Sequence, residues 1–153
     1  MAAAIARVLA VHLGRIQPET AMLTGLVHNI GIFYLLFRAA EYPEYRNNEP
    51  AMIELLAGWH EGIGESLLHI LGLPAAITDA VRDQSHLSPV ETPSTISDVL
   101  YFAIALAGNG LPWQSSTQDA EEVARREADC MRYADLLKTA EDDIIELRAA
   151  LSA

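Results

Sequence analysis

The side chains able to bind a metal or move a proton are concentrated in two short stretches. In Gly25-Leu26-Val27-His28-Asn29-Ile30-Gly31, an apolar helical run ends in an imidazole, a carboxamide and a glycine. In Trp59-His60-Glu61-Gly62-Ile63-Gly64-Glu65, a histidine adjoins one carboxylate and a second follows a helical turn later. Imidazole nitrogen and carboxylate oxygen together suit transition metals, and a bound metal lowers the pKa of its water. The same residues show the limits of that chemistry. The Asn29 carbonyl is a neutral, weak ligand and cannot act as a base. Two histidines on separate helices fall short of the three or four protein ligands a stable site needs. A plainer reading also accounts for these types. His28 satisfies carbonyls at a helix end, Asn29 and Gly31 stop that helix, and Glu61 and Glu65 are solvated acids near a helix start.

The remaining reactive side chains add little. His12 and His69 lie on helices without acidic partners at ligand spacing. Cys130 falls on an apolar stripe and reads as inert packing. Gly62-Ile63-Gly64 is no phosphate loop, because no strand precedes it and no Lys-Ser/Thr follows. Arg82 is the candidate cation for a phosphate, and His86 lies four residues beyond it.

Helices must position these groups. Ala2 to Leu13 is an alanine-rich helix that Gly14 stops. Pro18-Glu19 opens a second helix that runs to His28-Asn29, with Gly25 marking a close crossing. Ile32 to Ala40 is almost wholly apolar, which predicts burial on several sides. Tyr42-Pro43-Glu44-Tyr45 makes a turn or short helix. Pro50 starts a helix that Gly58 breaks, and a new one runs from Trp59 to Leu71. Pro74 to about Asp83 follows, and Thr92-Pro93-Ser94 caps a helix through Ala107. Trp59 and Trp113 read as core anchors or as lids over a groove. Ser115-Ser116-Thr117-Gln118 then caps one long acidic helix to Ala150. Val123, Cys130, Leu137, Ile144 and Leu151 fall there at heptad spacing, with Tyr133, Ala140 and Leu147 beside them. That stripe either packs back on the domain or pairs with a second copy.

Composition agrees with an all-α protein of one domain's size. The chain has 153 residues, 51% of them hydrophobic and only 7% aromatic, and Ala and Leu outnumber β-branched types. A net charge of −11 disfavours a broad nucleic-acid or anionic-membrane surface. The single cysteine excludes an internal disulfide framework and fits a reducing compartment. No Lys/Arg-led signal core is visible, and no apolar run reaches the ~18 residues of a spanning helix. The expected location is the cytoplasm, with neither nucleic acid nor membrane as partner.

Four segments in order carry a resemblance to a known family. Gly25-Leu26-Val27-His28-Asn29-Ile30-Gly31 is similar to the "GLLHDIG" segment of the HD phosphohydrolase superfamily. Trp59-His60-Glu61-Gly62-Ile63-Gly64 resembles its "DHxxxG". Leu71-Gly72-Leu73-Pro74 through Ile77, Ala80, Val81 and Arg82 resembles "WGLPxxIxxAIR". Val99 to Ala107 resembles its closing helix. The resemblance covers roughly residues 2–110. It implies that His28, Asn29 and His60 occupy metal-ligand positions of that superfamily. It also shows departures. Asn29 replaces an aspartate, the family's first histidine falls before Met1, its later histidine pair falls at Gln84 and Ser85, and its closing aspartate falls at Ile104.

A scaffold kept with its ligands lost resembles the HDOD branch, and in particular its C-terminal, HD-like half. The resemblance implies a compact bundle of six or seven helices over residues 1–112, followed by an amphipathic segment over residues 113–153 that packs on the core or on a partner. It implies a non-catalytic regulatory module in bacterial signalling, with no cofactor, a protein partner and an optional homodimer through the C-terminal helix. The surface offered to a partner is expected around Trp59, Glu61, Arg82 and His86, beside the vestigial His28 and His60. The alternative is a metal-dependent phosphohydrolase acting on a nucleotide or cyclic dinucleotide.

Overall fold

The computed structural model describes residues 1–87, 90–108, 111, 120–139 and 141–151. Its elements are α1 (Ala2–Leu13), α2 (Pro18–Val27), α3 (Ile30–Ala39), α4 (Pro43–Arg46), α5 (Glu49–Ile70), α6 (Ala75–Arg82), a 3-10 turn (Gln84–His86), α7 (Ile96–Ala107), α8 (Ala120–Met131), α9 (Ala134–Thr139) and α10 (Glu141–Leu151). Among the described residues no strand occurs. The fold is all-α.

The bundle is built around α1. Its alanines and Ile5, Val8 and Leu9 are buried against α2 and α7, with Phe102 and Ala103 of α7 in the same core. Small residues make the helix crossing close. A Cβ on Gly25 would lie 2.7 Å from the Ala3 Cα, so only glycine fits there. Gly14 ends α1 at φ 65°, a left-handed conformation that costs glycine nothing. A second, smaller core joins Leu68 of α5 to Ile77 and Val81 of α6, with Val27, Ile30 and Leu73 packed against it.

Five expectations need correction. Gly58 does not break a helix, because α5 runs unbroken through it from Glu49 to Ile70. A glycine inside a helix costs ~1 kcal/mol, which burial of the Leu56, His60, Gly64 and Leu68 stripe outweighs. His60, Glu61 and Glu65 are therefore mid-helix residues and not residues of a helix start. The helix α3 is not buried on several sides. Only Gly31, Leu35 and Ala39 are buried, on the face toward α5, while Phe33 and Phe37 are 67% and 70% exposed. Trp59 is no core anchor, being 63% exposed; Trp113 lies outside the described residues. The cap of α7 is Thr95, whose hydroxyl accepts from the Asp98 N–H while Asp98 accepts from the Thr95 N–H, a capping box. Finally, Pro18–Ala39 is long and apolar enough, by length and composition, to cross a membrane, with a mean hydropathy of 1.5. In the bundle this stretch is interrupted at His28-Asn29, and α2 packs on α1 while α3 packs on α5.

The C-terminal segment is helical but divided into α8, α9 and α10. At the first division Arg132 donates to the carbonyls of Val90 and Glu91, at 3.3 and 2.9 Å, and Tyr133 turns into the core. There its ring meets Phe102 edge-on at 5.0 Å. Ile144 is buried in the same cluster, and Leu136 and Leu137 pack against it. The N-cap cluster 115–118 and Ala140 lie outside the described residues.

Candidate functional site

The end of α2 places His28. The imidazole Nδ1 donates to the Gly25 carbonyl at 2.8 Å, which leaves Nε2 as the acceptor nitrogen. Burial pushes the His28 pKa below its ordinary value; the Gly25 hydrogen bond opposes this and the positive amino terminus adds to it. The ring is therefore neutral at pH 7. Asn29 follows as the N-cap of α3. Its backbone carbonyl accepts from Ile32 and Phe33 at 3.0 and 3.2 Å, but its side chain makes no cap hydrogen bond. The Asn29 Oδ1 is buried without a hydrogen-bond partner among the described residues.

Gly31 brings α3 onto α5. It packs directly on the His60 carbonyl, and an added Cβ would also lie 2.8 Å from the Gly64 nitrogen. His60 is thus buried in mid-helix, 3% exposed, and its Nδ1 donates to the Leu56 carbonyl at 2.8 Å. The end of α6 closes the opposite side. Gln84 Nε2 donates to the His28 carbonyl at 3.1 Å, and the Ser85 N–H donates to Glu61 Oε1 at 2.7 Å. At both positions where the resemblance implies a histidine, the chain makes a bracing hydrogen bond.

The charges nearby neutralise one another. Arg82 pairs with Asp83 at 2.7 Å, Asp79 at 2.9 Å and Glu65 at 3.3 Å. The Asp83 hydrogen bond holds the guanidinium charged and holds the Asp83 carboxyl below the ordinary carboxylate range. Arg82 is therefore not a free cation for a phosphate. His86 lies exposed on the 3-10 turn, where its backbone N–H donates to the Asp83 carbonyl at 2.8 Å.

A cavity of about 300 Å³ opens beside His28 and Asn29, walled by Leu26, Phe33, Ile104 and Ala107 and by the start of α1. Ile104, the position where the resemblance implies an aspartate, thus lines the same cavity as His28 and Asn29. His60 is not part of this wall. The structure gathers His28, Asn29 and Ile104 at one cavity and puts Glu61 and Arg82 in a separate polar seam between α5 and α6. Trp59 lies on the outer surface. What sequence reasoning missed is the apolar face formed by Phe33 and Phe37. Its signal was the spacing of small and buried residues at 31, 35 and 39, which fixes the opposite face of α3 against α5.

The residues present do not fit a divalent metal. Among the described residues no group of three or more His, Cys, Asp or Glu side chains comes together. His28 offers one neutral nitrogen, Asn29 a neutral oxygen and Ile104 nothing.

The family model of the HDOD domain matches residues 1–87. The chain belongs to the HDOD domain family. Among solved structures, it is similar to a protein from Shewanella amazonensis SB2B named "Putative metal-dependent phosphohydrolase", with a TM-score of 0.65 at 19% identity. That match covers 89% of this chain and 50% of the other, so the chain spans half the length of its neighbour. At this identity the likeness concerns the fold. No curated protein matches the chain.

Proposed function

We propose that this HDOD chain is a regulatory module of bacterial signalling that works by contacting a protein partner and does not hydrolyse phosphate esters. The observation that carries the reading is the exchange of function for structure at the ligand positions. Gln84 and Ser85 brace His28 and Glu61, while Ile104 presents a hydrocarbon to His28 and Asn29. The partner surface in this reading is the apolar face of α3, with Phe33, Phe37, Tyr34 and Leu36 all exposed, together with Trp59. Aromatic residues exposed in this density are characteristic of interface cores. The cytoplasm is the compartment this reading assigns.

One observation favours the alternative, a metal-dependent phosphohydrolase. Both His28 and His60 direct Nδ1 to a backbone carbonyl, the arrangement that leaves Nε2 for a metal. One experiment separates the readings. The purified chain is loaded with Mn, Fe or Zn, desalted, and assayed for bound metal and for hydrolysis of bis-p-nitrophenyl phosphate. The regulatory reading expects substoichiometric metal and no turnover. Stoichiometric metal lost in His28→Ala and His60→Ala, with turnover lost alongside it, would establish the hydrolase. The partner surface is tested by a photo-crosslinking residue at position 37 in native cells. One defined adduct, absent when the crosslinker is at exposed Arg125, supports the face.

A further inference from the structure

We infer that α8, α9 and α10 form a strap that lifts as a unit from the face of α1 and α7, and that the closed strap keeps this apolar face from any other occupant. The inference stands apart from the α3 surface and holds whichever partner or reaction the domain serves.

What lies beneath the strap is hydrocarbon. The helices α9 and α10 touch α1, and α8 touches α7. Tyr133 sets its ring edge-on against Phe102 at 5.0 Å and against His12 at 6.5 Å, and Ile144 joins the cluster that holds Leu9 and Phe102. The strap is held more lightly than the helices it covers. Among its described residues only Tyr133 and Ile144 are buried, whereas α1 alone buries eight of its twelve. Three of its ion pairs, Arg125–Glu121, Arg132–Asp129 and Lys138–Asp135, join residues within the strap and add nothing to its docking. Charge opposes docking. Residues 120–151 contain nine acidic and five basic residues, and the rest of the chain is net negative as well. Exposed helices with few buried contacts belong to the low end of local stability. Arg132 is the latch. Its guanidinium donates to the Val90 and Glu91 carbonyls at 3.3 and 2.9 Å, ahead of α7, and Tyr133 follows it directly into the core. These hydrogen bonds are exposed, so water replaces them when the latch opens and no buried polar group is orphaned.

Hydrogen exchange of the full 153-residue chain, followed by mass spectrometry, tests the strap. Peptides from residues 120–151 should exchange together and be protected about 100-fold less than peptides from α1 and α7. Arg132→Gln should speed exchange of residues 120–151 about tenfold, the loss of roughly one charge-assisted hydrogen bond, and leave α1 to α7 unchanged. Tyr133→Ala should hold the strap open. Hydroxyl-radical oxidation of the Phe102 ring should then rise several-fold while the amides of α1 and α7 keep their native protection. If Tyr133→Ala fails to fold, Arg132→Gln decides alone, since its partners across the interface are exposed carbonyls. One common exchange rate for strap, α1 and α7 would overturn the inference. So would an Arg132→Gln chain whose strap is no faster, or whose strap and core are faster alike. Unchanged oxidation of Phe102 in a folded Tyr133→Ala chain would do the same.

Discussion

Two apolar helices of similar length meet opposite fates in this bundle. The helix α1 buries eight of its twelve residues, Ala2 to Ala6 and Val8 to Ala10, and it touches α2, α7, α9 and α10. The helix α3 is richer in large apolar side chains, yet buries three of its ten. Apolarity alone therefore does not decide burial. Alanine and glycine let helices approach closely and surround α1 on several sides. On α3 the small residues Gly31 and Ala39, with Leu35, occupy the face toward α5, and the bulky residues are left for solvent or a partner. One helix is a structural axle; the other is offered outward. The exposed aromatic residues of α3 are what the proposed partner surface rests on.

The sharpest way to break this contrast is at the glycine that seats α3. Gly31→Ala forces a methyl group into the His60 carbonyl and the Gly64 nitrogen, both backbone atoms that cannot step aside. Overpacking of this kind costs about 3 kcal/mol or more, so urea denaturation should show a much lower midpoint or no cooperative transition. A near-native midpoint would mean that α3 is not locked to α5. Truncation on the axle comes next. Leu9→Ala, at 1% exposure, should cost about 2–5 kcal/mol, a fall in melting temperature of roughly 4 °C or more for a chain of this size.

A smaller effect is expected at His28, at the end of α2. Its folded-state pKa is lowered from 6.5 by burial, so the unfolded chain binds more protons as the solution acidifies. The stability due to its neutral form is complete above about pH 6.5 and is lost as pH falls through the ordinary value to the folded one. Comparing chemical denaturation of the native chain and His28→Gln from pH 8 to pH 5 should show a steeper acid loss in the native chain. Parallel curves would show that the imidazole is not buried as described. The smallest effect should come from the outward face. Phe37→Ser should change stability by no more than about 0.5 kcal/mol while removing the position-37 contact with any partner. A loss comparable to that of Leu9→Ala would show Phe37 to be a core residue.

Chain boundaries were legible because they rest on local chemistry. Gly14 and Gly108 adopt the left-handed conformation that ends a helix, and Pro18 occupies the first turn of α2. The close crossing at Gly25 was legible too, since a helical glycine costs enough to imply a packing reason. Gly58 misled because a local penalty of ~1 kcal/mol is set against the packing of a 22-residue helix, which local sequence does not display. The division of the C-terminal segment was hidden for a similar reason. It depends on Arg132 reaching carbonyls about forty residues earlier in the chain.

By itself, then, the sequence determined an all-α chain, the termini of most helices, and membership of the HD-like scaffold through ordered motifs around His28, His60 and Leu73-Pro74. The tertiary structure decided which face of α3 is buried, that Gln84 and Ser85 hydrogen-bond His28 and Glu61, and that Ile104 shares a cavity with Asn29. Helix propensity, capping and turn chemistry act over a few residues and are written where they act. Burial and cavities belong to pairs of surfaces distant in the chain, and they exist only once both surfaces are in place.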